Sequence, residues 1–129
     1  MTYACRGIRG ATTVEENSAE AIVQATRELL EQIIALNDVQ EADVASAIFS
    51  VTPDLDEAFP ALAARQLGWH DAALMCCQEI PVPHGVPYCI RVLIHWNTSR
   101  SLEEIRHVYI RGAASLRPDR NVPVDSRHH

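Results

Sequence analysis

Eleven basic residues occur in this 129-residue chain, and every one is Arg. Without Lys there is neither a Schiff base nor a lysine nucleophile. The cation on offer is a planar guanidinium, which keeps its charge at any working pH and grips a carboxylate through two parallel hydrogen bonds. Two readings follow: a chain equipped for small carboxylates, or a compositional habit of the genome. Arg91 is the most informative position, because alternation over 88–97 puts it on one strand face with Cys89, Leu93 and His95. A guanidinium directed inward from a sheet must be paired or must serve a ligand, since burying it alone is very costly. An internal salt bridge to Glu79 would satisfy it as well as a ligand would.

The other candidates also carry two readings each. Glu79 follows adjacent cysteines and reads equally as a solvated loop acid, while Cys76 and Cys77 read as small buried apolar residues. Tyr109, on a last strand with His107 and Arg111, suits a core tyrosine with a satisfied hydroxyl. Phe59 reads as packing, and His70, His84 and His95 as surface or core histidines. Cys5, Cys76, Cys77 and Cys89 show no C-x-x-C pair and no Cys/His spacing of a zinc site, so neither a metal site nor a disulfide framework is expected.

The elements that must position these groups follow from periodicity. Residues 2–9 alternate as a strand ending at a Gly10 turn, which places Arg9 at a strand end. From 17 to 36 the period becomes helical, with Ile22, Ala25, Leu29, Ile33 and Leu36 on one stripe and Asn17 with Glu20 able to form a capping box. A strand at 44–51 stops at Thr52-Pro53-Asp54, and Pro60 opens a short helix, 61–67, that carries Arg65 and stops at Gly68. Residues 72–77 read as a strand buried on both sides. Pro81, Pro83, Gly85 and Pro87 then hold a rigid loop ahead of strand 88–97. Ser101 and Glu104 make a second capping box over one helical turn before a strand at 106–111. The expected fold class is α/β (α+β), a mixed sheet covered on one face mainly by one long helix with two short ones. The other face has no helix left to cover it, which points to self-association.

Size and charge bound the function. At 14.3 kDa the chain has room for one domain, placed at 1–119 with a tail at 120–129. The net charge of −6 disfavours a broad nucleic-acid or anionic-membrane surface. No apolar run approaches membrane-spanning length, and Arg6 and Arg9 stand where a secretory signal would be apolar, so a cytoplasmic protein with reduced thiols is expected.

Taken in order, RGIRGATT at 6–13, SVTPDL at 50–55, FPALAAR at 59–65, C-x-Q-E at 76–79, CIRV at 89–92, IRHVY at 105–109 and LRPD at 116–119 resemble the monofunctional AroH class of chorismate mutases. The resemblance implies a homotrimeric pseudo-barrel of α/β subunits with active sites in the clefts between neighbours. It also implies a cofactor-free rearrangement of chorismate to prephenate on the route to phenylalanine and tyrosine. Position by position, Arg9 and Tyr109 are similar to the pair holding one substrate carboxylate, and Arg91 to the residue at the ether oxygen of the breaking bond. Glu79 and Cys76 are similar to the groups at the ring hydroxyl. Phe59, Ala61 and Arg65 would come from the neighbouring subunit. Leu74, Met75 and Leu116 would line the pocket, and Arg117 would close its mouth. Leu62 stands where some relatives have a charged residue.

The chemistry suits these residue types independently. Chorismate is a dianion whose side chain must fold over its ring while negative charge develops on the ether oxygen, and fixed Arg forks serve both needs without a proton transfer. Two other functions fit an Arg cluster in a trimer: hydrolysis of an imine or enamine with Glu79 as proton donor, and carboxylate binding without turnover. Incubation with chorismate separates the three.

Overall fold

A computed structural model describes residues 2–116. Arg117 and the 120–129 tail lie outside the described residues. Five strands form one mixed sheet: β1 (Ala4–Thr13), β2 (Val44–Val51), β3 (Ala73–Gln78), β4 (Cys89–Thr98) and β5 (Val108–Tyr109), in the spatial order β3-β2-β4-β1-β5. β4 runs antiparallel to both neighbours, whereas β2/β3 and β1/β5 are parallel. The long helix α1 (Ala19–Asn37) joins β1 to β2 and covers one face, and the short α2 (Ala61–Gln66) sits toward the β3 edge. Single 3-10 segments follow at Glu41–Asp43, Leu102–Glu104 and Arg111–Leu116.

The core is the layer between α1 and the sheet. Leu29, Leu30 and Ile33 meet Ile8 of β1, Phe49 of β2 and Val92 and Ile94 of β4, all essentially buried. Each fully buried aliphatic or aromatic side chain there contributes about 1.5–3 kcal/mol of transfer free energy. The alternation of β4 is as expected: Ile90, Val92, Ile94 and Trp96 face the helix, leaving Arg91, Leu93 and His95 on the opposite face. That opposite face is covered only near Ala11 and Cys89, by the Arg111–Leu116 segment; elsewhere it is open, with Ile48, Met75 and Leu93 exposed on it.

Several sequence expectations need correction. β1 continues through Gly10 to Thr13, so Arg9 is mid-strand, not at a strand end. Gly10 is there for close packing rather than a turn: a Cβ would come within 2.8 Å of Ile33 Cδ1 on α1. The helix is capped by Ser18, whose Oγ accepts the Ala21 N–H at 3.1 Å; Asn17 instead bonds Asp56 across the chain. β3 is an edge strand with only half-buried Leu74 and Cys76 turned to the core, not a strand buried on both sides. The last strand shrinks from 106–111 to Val108–Tyr109, because Arg111 adopts φ 52° and turns the chain into the 3-10 segment. The Ser101–Glu104 capping box is present, on a 3-10 turn.

Buried Asn37 at the C-terminal end of α1 reaches across to the segment before β5. Its amide donates to the Arg106 carbonyl at 2.9 Å and accepts the Arg106 N–H at 2.9 Å. Both backbone groups of Arg106 are thereby satisfied without a ladder, and the approach to Tyr109 is fixed to the helix.

Candidate active site

The open face of the sheet gathers one group of the expected residues through register alone. Reading across the strands, Tyr109 of β5 pairs with Ala11 of β1, Ala11 with Arg91 of β4, Arg91 with Ser50 of β2, and Ser50 with Cys77 of β3. Arg9, opposite Leu93, is a diagonal neighbour of Arg91 on the same face, with side-chain origins about 7–8 Å apart. Two guanidinium groups thus project from adjacent strands beside a phenol. Leu116 packs with Tyr109 against Ala11, Cys89 and Ala113, closing the β5 side of this row.

Glu79 completes the group from just beyond β3, with its backbone N–H held by the Val51 carbonyl at 2.8 Å. Its Oε2 accepts from Ser50 Oγ and lies 3.4 Å from Arg91 Nε. The Arg91–Glu79 pair weighed from the sequence therefore exists. It is not an internal pair, however, since the Arg91 side chain keeps 45% and the Glu79 side chain 24% of its exposure. Arg91 is not sealed inside the chain as an inward-facing residue would be; it stands on a face still open to a ligand or a neighbour. With Nε 3.4 Å from Glu79, the planar guanidinium still has N–H groups to offer a ligand on the open face.

The start of β4 is anchored by the Thr52-Pro53-Asp54 segment that the sequence shows only as a turn. Cys89 N–H donates to Thr52 Oγ1 at 2.9 Å, Thr52 Oγ1 donates to Asp54 Oδ1 at 2.5 Å, and Tyr88 N–H donates to Asp54 Oδ2 at 3.0 Å, where Tyr88 holds φ 51°. This ties down the backbone two residues before Arg91. The Cys89 thiol is buried, which pushes its pKa up despite the neighbouring Arg91, so it stays neutral.

A second group lies on the other side of the sheet. Leu74 and Cys76 alternate toward α2, with Met75 and Cys77 on the open face. The Cys76 sulfur faces the Ala61 backbone N–H and the Arg65 guanidinium, yet burial dominates and raises its pKa. Arg65 borders an open cleft of about 200 Å³ with Trp69, His70, Ala72 and Leu74. Phe59, just ahead of α2, is 72% exposed and Met75 is 60% exposed. The structure thus brings Arg9, Arg91, Glu79, Tyr109 and Leu116 to one face, and Arg65, Ala61, Cys76 and Leu74 to the opposite side of the β3 edge. Within one chain the sheet stands between the two groups, and Cys76 is placed with Arg65 rather than with Glu79.

Sequence reasoning missed Ser50. Its signal was its place on the branched run leading to Thr52-Pro53, three residues on from an alanine that faces the core, which by itself distinguishes nothing. Among the described residues no group of three His, Cys, Asp or Glu is gathered to hold a metal, and no helix is long and apolar enough to cross a membrane.

Comparison with known proteins gives these positions a context. The family model of chorismate mutase type I matches residues 5–120. The chain is 54% identical over 115 residues to the chorismate mutase AroH of Thermus thermophilus, covering 88% of this chain and 94% of that one. It is 47% identical over 115 residues to the AroH of Bacillus subtilis strain 168, covering 88% and 91%. A solved chorismate mutase from Clostridium thermocellum superimposes with a TM-score of 0.82 at 51% identity, over 84% of this chain and 96% of that one. With matches of this identity running through nearly the whole described length, the chain belongs to the chorismate mutase type I family.

Proposed function

We propose that this protein converts chorismate to prephenate, for phenylalanine and tyrosine synthesis, at sites completed by neighbouring copies of the chain in a homotrimer. The isomerase activity follows from family membership at this level of identity. The observation that carries the site assignment is the transverse row that sets Tyr109, Arg91 and Ser50 in register with Arg9 and Glu79 alongside.

The rearrangement breaks the ether C–O bond and forms a C–C bond within one molecule, so it calls for no nucleophile and no redox group. What the protein must supply is the folded conformer and charge stabilisation at the ether oxygen. Arg9 and Tyr109, from adjacent strands, hold one carboxylate and thereby fix the side chain over the ring. The terminal nitrogens of Arg91 meet the ether oxygen as negative charge grows there, in an arrangement that exists before substrate arrives and needs no reorganisation during the step. Glu79 accepts the ring hydroxyl through the oxygen that Ser50 and Arg91 leave free. Leu116 forms the wall beside Tyr109. Arg65, with Phe59, Ala61, Leu74 and Cys76, faces this row from the neighbouring subunit, Met75 lines the pocket, and Arg117 covers the mouth.

Two features support the assembly. The two residue groups occupy opposite sides of one sheet, so a single chain cannot close them around one small molecule. The open part of that face also exposes Ile48, Met75 and Leu93, an apolar surface that a second copy buries. Mixing tests both at once. Arg65→Ala and Arg91→Ala proteins are each expected to be inactive, whereas co-assembled trimers regain activity at about a quarter of their sites, those with both intact halves. No recovery, or a stable monomer with full turnover in light scattering and chorismate assays, would refute the shared site.

A further inference from the structure

The strongest unassigned group is Ser50. It stands directly opposite Arg91 in the β2/β4 register, and its hydroxyl donates to Glu79 Oε2, the same oxygen that Arg91 Nε approaches. A carboxylate just beyond an edge strand, with 24% of its side chain exposed, has rotamer freedom that a single long ion pair at 3.4 Å does not remove. A second, charge-assisted hydrogen bond from a short side chain on the next strand does remove it, because Ser has one χ angle and β2 is held on both sides by ladders. Both donors converge on Oε2, and among the described residues no partner is found on Oε1. The result is a carboxylate with one oxygen committed to the protein and the other left for a further contact. The same contact bears on Arg91, because the Oε2 that Ser50 fixes is the oxygen its Nε pairs with at 3.4 Å.

We infer that Ser50 is a positioning residue for the rearrangement, orienting the Glu79 carboxylate and, through it, the Arg91 fork. This rests on the functional reading above and adds a residue to it. Ser50 itself need not touch the substrate; it acts on which way two other side chains point.

The test is the isosteric pair Ser50→Thr and Ser50→Val, both well suited to a strand and differing only in the hydroxyl. Chorismate turnover by the unaltered protein is measured first, so loss of the mutase reading registers there and nowhere else. The Thr variant is expected to keep kcat within about twofold. The Val variant is expected to lose kcat by roughly tenfold or more, the scale of one hydrogen bond to a charged group, with KM changed much less and with unaltered thermal unfolding. Independently of activity, a crystal structure of the Val variant should show the Glu79 carboxylate turned away from Arg91 Nε. Equal kcat in the two variants, a loss confined to KM, or an undisturbed Glu79–Arg91 contact in the Val variant would each overturn the positioning role.

Discussion

Replacing Arg91 with Ala separates catalysis from stability, because the structure assigns very different sizes to the two losses. Within the chain Arg91 approaches Glu79 at 3.4 Å, with 45% and 24% of the two side chains exposed, and neighbours the Cys89 thiol. Pairs of that kind contribute about 0–1 kcal/mol, and the aliphatic stem of Arg91 lies on an open face, so no cavity forms. Midpoint unfolding temperature should therefore move by only a few degrees. The rate is another matter: losing one preorganised donor aimed at developing charge typically costs about 3–4 kcal/mol, or a hundredfold to a thousandfold in kcat. The assay follows loss of chorismate absorbance and formation of prephenate, alongside circular dichroism melting. Arg91→Lys extends the argument. An ammonium cannot keep one N–H on Glu79 while offering a two-pronged fork outward, so it should restore little of the lost rate. Near-normal turnover in Arg91→Ala, or a rate loss that tracks the unfolded fraction, would refute the reasoning.

Further outcomes follow from other contacts. Ser18→Ala should destabilise α1 by about 1 kcal/mol, as loss of an N-cap does, and denaturant unfolding of Asn17→Ala should show no loss of that helix cap. Glu104 accepts the Ser101 N–H at 2.7 Å, which holds its carboxyl below the usual range in the folded state. Its contribution is present above the ordinary carboxylate pKa and fades as pH falls through the lowered one. The melting temperatures of Glu104→Gln and the unaltered protein should differ at neutral pH and converge as pH falls through the lowered carboxyl pKa. Burial raises the pKa of the Cys89 thiol, so alkylation of the folded protein should spare Cys89 and modify the exposed Cys5 and Cys77, with Cys89 reacting only after unfolding, as peptide mapping would read.

How much of this was legible in the sequence depended on whether the signal was local. The alternation of 88–97 and most of the helical stripe of 17–36 place Arg91 and the core on the correct faces, because a period of two or 3.6 is written into neighbouring residues; Leu36, read on that stripe, is exposed at the end of α1. Gly10 misled because a glycine wanted for close approach of helix and strand looks the same as one wanted for a turn. Apolar 72–77 misled because a strand destined for an edge and one destined for the centre share a composition. The Ser50–Glu79–Arg91 arrangement needs three strands in register, and the clamp of Asn37 on Arg106 spans 69 positions, so neither leaves a mark in any short window. The candidate site was named by resemblance; its division between two sides of one sheet came only with the topology.

The free side of β3 carries a consequence for the newly made chain. From Ala73 to Cys77 this strand has no charged residue, proline or bulge, the devices that ordinarily keep an outer strand from adhering to its own kind. It lies beside the side chains that the proposed site draws from a neighbouring protomer, so under that proposal a polypeptide without partners would lack a complete site and keep this edge bare. Under that proposal the demands of staying dispersed and of turnover fall on one and the same strand, Ala73–Gln78.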